Sequence, residues 1–195
     1  MKYLFLLLII TLYFSCDLNA QAEFTKPIHM EGLVKNDTVF STHTGYLKSD
    51  SIPGYVFDMK HLKVLSISGS DCDYVDTVKN CWMIRAIPAE IKNLKHLKSL
   101  SLTINAIRSV PVEISALTEL KYLDLTDNPG LSDISNVATL KNLEELSLYG
   151  CNIEKIPAEL GLLKKLKVLG LAGNHLSRSE KDKVLKLLPG CTIYF

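Results

Sequence analysis

A spacing of leucines that recurs every 23 residues constrains this chain more than any other feature. With Leu97 as position 1, leucines at positions 1, 4 and 6 and an asparagine at position 9 give the pattern L-x-x-L-x-L-x-x-N. The pattern starts again at Leu120, Leu143 and Leu166, with Cys151 at position 9 of the third copy. An earlier copy starts at Leu62 and is longer than the others. A fixed period of this length predicts an array of stacked repeats rather than a globular fold.

Each repeat divides into two halves with different periodicities. Apolar residues that alternate at positions 4 and 6 predict a short strand with one buried face. The second half has the form Ile-x-x-Ile-Pro-x-x-Ile-x-x-Leu, as in the stretch from Ile84 to Leu94, and its spacing of three to four predicts a helix or an irregular helical turn. One such unit cannot bury its apolar side alone, so stacked units share a core and align their strands as a parallel sheet.

This spacing resembles the leucine-rich-repeat family over about residues 52 to 195. The Ile-Pro form is similar to bacterial and plant-type repeats of about 23 residues, whereas the stretch from Leu131 to Ser135 is more similar to internalins. The resemblance implies an α/β leucine-rich-repeat solenoid, with a concave parallel sheet, short helices or turns on the convex side, and caps at both ends. It also implies a role in protein recognition.

Three segments follow from this interpretation: a signal peptide at 1–20, an N-terminal cap at 23–50, and the solenoid with its C-terminal cap at 51–195. Ser177 and Glu180 form a candidate capping box that opens the last helix, which stops at Pro189-Gly190. Cys191-Thr192-Ile193 is then expected at positions 4 to 6 of one last strand, which would make Cys191 a core residue.

The N-terminus has the form of an export signal. Lys2 precedes an apolar run from Tyr3 to Phe14, which is too short for an ordinary membrane span. Cys16 follows that run after Ser15 and is a candidate for lipidation, while the small residues around Ala20 offer an alternative cleavage site. We therefore expect an outer-membrane or cell-surface lipoprotein, with a periplasmic or secreted protein as the alternative.

An oxidising compartment would permit a disulfide. Cys72 and Cys81 lie close together in one polar segment and are the expected pair, the alternative being two free thiols. Cys151 fits position 9 as a small buried residue.

The candidate partner-binding site lies on the concave face, where strand positions 3, 5, 7 and 8 point away from the core. Two tyrosines and three acids cluster there in neighbouring repeats; with the hydroxyl residues between them the set is Tyr122, Asp124, Thr126, Asp127, Glu145, Ser147 and Tyr149. Tyrosine is a common interface anchor, and the acids would favour a basic partner. The alternative is a solvated sheet face.

A second candidate is an insertion at about 71–82 in the first repeat. It contains Asp71, Asp73, Tyr74 and Trp82 and would lie beside the rim of the concave face. Insertions on one face of a repeat protein often carry its specificity. The alternative is a loop that covers the edge of the sheet, with Trp82 packed beneath it.

Several functions lack any signal. The formal net charge is +1, and no run of basic residues stands out, which argues against nucleic acid. No catalytic motif is present, and neither a cofactor nor a metal site is expected. A protein-binding module is therefore predicted, the alternative being a structural or adhesive envelope protein or a glycan binder; the oligomeric state is left open.

Overall fold

A computed structural model describes residues 33–69 and 81–195. Its main element is an eight-stranded sheet in which the spatial order of the strands is their order in the chain. The strands are β1 (Leu33–Lys35), β2 (Val39–His43), β3 (Val64–Ser68), β4 (Ser99–Ser101), β5 (Tyr122–Asp124), β6 (Glu145–Ser147), β7 (Val168–Gly170) and β8 (Thr192–Tyr194). Strands β2 to β8 run parallel, and β1 is antiparallel to β2.

Equivalent positions of successive repeats stack on one another. Leu65 pairs with Leu100, which pairs with Leu123, and this register continues to β7. The leucines and isoleucines at positions 1, 4 and 6 are buried in all five repeats. They form one continuous core, as the alternating pattern predicts.

The second half of each of the first four repeats, and the similar segment before Leu62, forms one short 3₁₀ helix, so the expected short helices or turns are confirmed. These are η1 (Gly54–Asp58), η2 (Ala89–Asn93), η3 (Val112–Ala116), η4 (Ser135–Thr139) and η5 (Ala158–Leu162). Proline precedes four of them, and its carbonyl closes the turn: the amide of Ile91, for example, donates to the carbonyl of Pro88 at 3.1 Å. A proline loses nothing at this point because its missing N–H would have no helical partner.

Buried asparagines fasten the carboxyl ends of the strands. The side-chain carbonyl of Asn128 accepts from the amide of Ile107 at 3.0 Å, and its amide donates to the carbonyls of Leu102 and Leu125 at 2.8 and 2.9 Å. Asn105 and Asn174 make equivalent bonds in their own repeats. Each asparagine therefore satisfies backbone groups that the turn would otherwise leave buried and unpaired.

Cys151 replaces this asparagine in one repeat, and the neighbouring turn changes with it. Its thiol donates to the carbonyl of Leu125 at 3.3 Å but supplies no amide oxygen. The amide of Leu131, in the turn that Pro129 and Gly130 introduce, donates instead to the backbone carbonyl of Asn128 at 2.9 Å. The expected burial of Cys151 is confirmed, and burial raises the pKa of its thiol to about 11.

The segment expected as an N-terminal cap also contributes strands. Strand β2 lies parallel to β3, with Phe40 opposite Leu65 and Thr42 opposite Ile67. Phe40 is fully buried at the position that leucine occupies elsewhere. This strand has no leucines, which is why the repeat pattern does not reveal it. Strand β1 then covers β2 through a tight turn at Asn36, whose side-chain oxygen accepts from the amides of Thr38 and Val39.

Two α-helices flank the array: α1 (Thr44–Leu47) and α2 (Arg178–Leu187). Ser177 caps α2 by accepting from the amide of Glu180 at 3.2 Å, but the reciprocal bond of a capping box is replaced, because Glu180 accepts from the amide of Ile156 at 2.8 Å. No helix within the described residues has the length and apolar character needed to span a bilayer.

The expected register of the last strand is wrong by two residues. Ile193, not Cys191, pairs with Leu169 at position 4, and Cys191 falls at position 2. Helix α2 and the turn after it use more residues than the 3₁₀ helix of an ordinary repeat, which delays the strand. Cys191 is consequently only half-buried beside the core.

Candidate binding surface

The structure brings the predicted concave-face residues together on the side of the sheet that faces away from the core. Tyr122 on β5 lies opposite Glu145 on β6, and Asp124 lies opposite Ser147. These four side chains are half-buried, while the leucines between them are buried on the other side. We call the set of Tyr122, Asp124, Thr126, Asp127, Glu145, Ser147 and Tyr149 the acidic patch.

Hydroxyl groups surround the carboxylate at the centre of the acidic patch. The side chain of Asp124 accepts from the amide of Thr126 at 3.0 Å, and the hydroxyls of Thr126 and Ser147 both bond it and lie 2.7 Å from each other. Burial raises the pKa of Asp124, and these hydrogen bonds oppose that rise. The network fixes the orientation of the carboxylate before any partner arrives.

The second acid of the patch is also partly desolvated. Burial and then the negative charge of Glu144 raise the pKa of Glu145, against the opposing effect of Lys167. Burial and the charges of Glu144 and Glu145 likewise raise the pKa of Tyr122, so its hydroxyl keeps its proton. A cation placed between Tyr122 and Glu145 would relieve this accumulation of negative charge.

The ring of Tyr149 reaches over the neighbouring repeat. A Cβ atom at Gly170 would come 2.3 Å from Cε2 of the Tyr149 ring, so the ring occupies the space that a side chain would fill. Gly170 is itself buried beneath it. The ring of Tyr149 therefore packs against the backbone of the neighbouring repeat and forms part of the surface there.

Asp127 marks the point where the chain leaves the sheet. Its φ of +55° is left-handed, as are those of Ile104, Gly150 and Gly173 at the same position of other repeats. This conformation is unfavourable for a β-branched residue such as Ile104, so the repeated exit turn overrides local preference. The side chain of Asp127 is exposed, and its Oδ1 would lie 2.3 Å from a Cβ atom added at Gly150.

An ion-pair ladder beside the acidic patch was not expected from the sequence. Glu144 contacts Lys121 at 2.9 Å and Lys167 at 2.6 Å, so three successive repeats are joined at position 2. The hydrogen bonds from Lys167 and Lys121 lower the pKa of Glu144. The signal is present in the sequence as a charge alternation with a period of 23, which is visible only when the repeats are aligned.

Of the insertion at about 71–82, the structure describes only the last two residues. Asp71, Cys72, Asp73 and Tyr74 lie outside the described residues, as does the predicted lipidation site Cys16. Trp82 is half-buried, and its carbonyl accepts a hydrogen bond from the buried hydroxyl of Thr44. Close by, Asp50 accepts from the amide of Met83 at 3.1 Å and pairs with Arg85 at 3.3 Å.

Among the cysteines, Cys151 and Cys191 are free. Cys72 lies outside the described residues, so the pairing of Cys81 with Cys72 stays a prediction. Over residues 33–69 and 81–195, no three His, Cys, Asp or Glu side chains are grouped so that they could hold a metal ion.

Comparison with known proteins gives consistent results. The family model described as a leucine-rich repeat region matches residues 44–191. A leucine-rich-repeat protein of Leptospira interrogans is 32% identical, with a TM-score of 0.65, and the match covers 74% of this chain and 34% of that one. No curated protein sequence matches this chain.

Two further structures extend the comparison. A plant peptide hormone receptor, RGFR1, solved in complex with RGF2, is 32% identical, with a TM-score of 0.54, over 74% of this chain and 22% of the receptor. An internalin of Listeria monocytogenes is 21% identical, with a TM-score of 0.55, over 74% of this chain and 44% of its own, which shows the fold alone. This chain thus spans about a third of the Leptospira protein and less of the receptor.

The repeat spacing, the parallel sheet in chain order and the buried asparagines agree with the family match over 44–191. This chain belongs to the leucine-rich-repeat family.

Proposed function

We propose that this chain is a binding module that recognises a basic segment of a protein partner through the acidic patch. The observation that carries the proposal is the register of β5 and β6, which sets Tyr122 beside Glu145 and Asp124 beside Ser147. Aromatic and carboxylate groups at the centre of an otherwise small and polar face supply an anchor and a charge preference together.

The charge state of the patch supports a basic partner. Among the described residues, no salt bridge involves Asp124, Asp127 or Glu145. Asp124 and Glu145 are partly desolvated, and their pKa values are raised. A lysine or arginine that docks between them would replace lost solvation and gain a charge-assisted hydrogen bond.

The sheet also offers a surface that is already ordered. Each strand of the patch bonds to both neighbours, and the Asp124 network holds its own side chain in place. A preformed surface loses little conformational entropy on binding. A similar chain, RGFR1, is described as a peptide hormone receptor and was solved in complex with RGF2, which supports a protein or peptide as the class of partner here.

The patch is expected to lie on the concave side of the solenoid, as the family resemblance implies. The insertion at 71–82 would then add a specificity element at the rim, closed by a Cys72–Cys81 disulfide. We propose no catalytic role, because the sequence contains no catalytic motif such as G-x-S-x-G or H-E-x-x-H.

We further propose that the protein is exported and tethered through a lipid on Cys16. The support is the apolar run behind Lys2, which ends at Phe14 and is separated from this cysteine only by the small residue Ser15. A mass spectrum of the mature protein from its host tests this: a chain that starts at Cys16 with added acyl mass supports the tether, whereas one that starts at Gln21 or Glu23 contradicts it. Proteolytic fragments without reductant would reveal a Cys72–Cys81 link.

The binding proposal is tested by selecting peptides from a displayed random library on the purified protein. We expect enrichment of peptides rich in lysine and arginine, and loss of about tenfold or more in their affinity for the double variant Asp124→Asn/Glu145→Gln. The matched control is Glu154→Gln/Glu159→Gln, which removes the same charge from exposed positions elsewhere. Equal binding by the patch variant and the wild type would refute this placement of the site.

A further inference from the structure

The amino ends of the strands carry a row of lysines that the register of the sheet creates. The residues at position 2 are Lys63, Lys98, Lys121, Glu144 and Lys167. Each donates its amide to the carbonyl of the one before it, at 2.8, 2.9, 2.8 and 2.7 Å. They are therefore consecutive rungs of one ladder, with a spacing of about 4.8 Å between neighbouring strands.

The loops that enter the strands add a second row. In four of the repeats, the residue two places before position 1 is a lysine, namely Lys60, Lys95, Lys141 and Lys164. Lys165 directly follows the last of these. All five are exposed. We call position 2 and the two residues before position 1, in the five repeats, the lysine edge.

Positive charge is concentrated at this edge. Its fifteen positions hold nine lysines and two glutamates, a formal charge of +7, in a chain whose formal net charge is +1. The rest of the chain is therefore net negative. The edge escapes notice as a run in the sequence because its lysines are separated by whole repeats.

Internal ion pairs neutralise only part of this charge. Glu144 bridges Lys121 and Lys167, and Glu119 contacts His96 at 2.9 Å. Within the described residues, no ion pair involves Lys63, Lys95, Lys98 or Lys164. These four ammonium groups come from the repeats that start at Leu62, Leu97 and Leu143.

We propose that the lysine edge binds a linear acidic polysaccharide that carries sulfate or carboxylate groups. The row is one-dimensional, and its charges repeat at about the strand spacing, which suits a polymer with one anionic group on each sugar unit or two. Lysine contributes a point charge without the fixed fork of arginine, so it fits a flexible chain whose anionic groups vary in geometry. This surface is separate from the acidic patch and takes a ligand of opposite charge.

Two other polyanions fit the edge less well. Single-stranded nucleic acid needs aromatic side chains on which its bases stack, and the fifteen positions of the lysine edge include no Phe, Tyr or Trp, only the small imidazole rings of His61 and His96. A bilayer surface favours basic residues that alternate with apolar ones able to enter the headgroup region. The edge has no apolar residue and no Phe, Tyr or Trp, so it offers charged and polar groups alone.

The test is calorimetric titration of the purified protein, at several NaCl concentrations, with a heparin dodecasaccharide and with an alginate oligosaccharide of equal length. The edge variant is Lys63→Gln/Lys95→Gln/Lys98→Gln/Lys164→Gln. Its charge-matched control is Lys48→Gln/Lys155→Gln/Lys181→Gln/Lys186→Gln, and a second control replaces the four edge lysines with arginine. A single-stranded DNA 20-mer and vesicles with phosphatidylserine are the competing probes.

We expect at least one oligosaccharide to bind, with affinity that falls as salt rises. The edge variant should bind about tenfold or more weakly and show a shallower dependence on salt, while the arginine variant and the charge-matched glutamine control keep most of the affinity. The proposal is overturned if neither oligosaccharide binds, if both glutamine variants lose affinity equally, or if DNA or vesicles bind more tightly. Loss of peptide binding at the acidic patch would not change this result, so the two proposals fail separately.

Discussion

The carboxyl ends and the amino ends of the parallel strands belong to the same repeat but differ in their side chains. We call them the carboxyl edge and the amino edge of the sheet. At the carboxyl edge, position 9 turns inward, and Asn105 and Asn128 are buried with their amides fully bonded. At the amino edge, position 2 faces solvent, and Lys63, Lys121 and Lys167 are exposed. One edge holds the solenoid together, and the other presents charge.

This difference shows how a single period specifies both stability and surface chemistry. A buried polar group must find its partners inside the protein, so position 9 tolerates few residue types. An exposed position is free of this requirement, so position 2 is able to hold Lys98 in one repeat and Glu144 in another. The acidic patch lies between these two edges, on the same strands.

The largest expected effect comes from removing a buried asparagine at position 9, at the carboxyl ends of the strands. Asn128→Ala would remove the side chain that pairs with the amide of Ile107 and the carbonyl of Leu102, and would leave the carbonyl of Leu125 with only the weak thiol donor of Cys151. We expect a loss of about 2–4 kcal/mol in the free energy of unfolding, measured by urea denaturation.

The matched control for this change is Cys151→Ala in the same slot. The neighbouring turn has already satisfied the amide of Leu131, so only a weak thiol donor and a small apolar contact are lost. We expect about 1 kcal/mol. Equal losses at the two positions would mean that the asparagine contributes volume rather than hydrogen bonds.

A smaller effect is expected on the exposed face. Gly170→Ala places a Cβ where the Tyr149 ring lies, so the ring must move at a cost of about 1 kcal/mol, and the acidic patch should lose affinity for basic peptides. Gly54→Ala, where no atom lies within 4 Å of the new Cβ, is the control and should be close to neutral. Unaltered peptide binding by the Gly170 variant would remove Tyr149 from the site.

The smallest effect is expected at position 2, at the amino ends of the strands. The hydrogen bonds from the two lysines lower the pKa of Glu144 in the folded protein below its ordinary value of 4.5. Ionised Glu144 therefore stabilises the fold at pH values above its ordinary pKa. This contribution is lost as the pH falls through the lower pKa of the folded state. Glu144→Gln should lower Tm slightly at pH 7. The difference from wild type should shrink at pH 3 and in high salt; a gap that is constant with pH would show a packing effect instead.

The sequence predicts best those features of the site that depend on residues close together in the chain. Tyr122 and Asp124 were assigned to the exposed face by strand alternation alone, and Glu145 joined them because the period fixes the register. Tyr149 was placed on the correct face, but its position across Gly170 depends on a neighbouring repeat. Strand β2 was missed because Phe40 replaces the leucine, and β8 was placed two residues early because α2 lengthens its repeat.

The sequence by itself determined the architecture. Leucines and asparagines that recur with a period of 23 residues are buried and paired together when the repeats stack as a parallel sheet. The tertiary structure alone decided which charges meet. Lys63 and Lys98 are 35 residues apart in the chain, and the longer first repeat hides their equivalence. Stacking makes them neighbours, since a backbone hydrogen bond joins each repeat to the next whatever the length of chain between them.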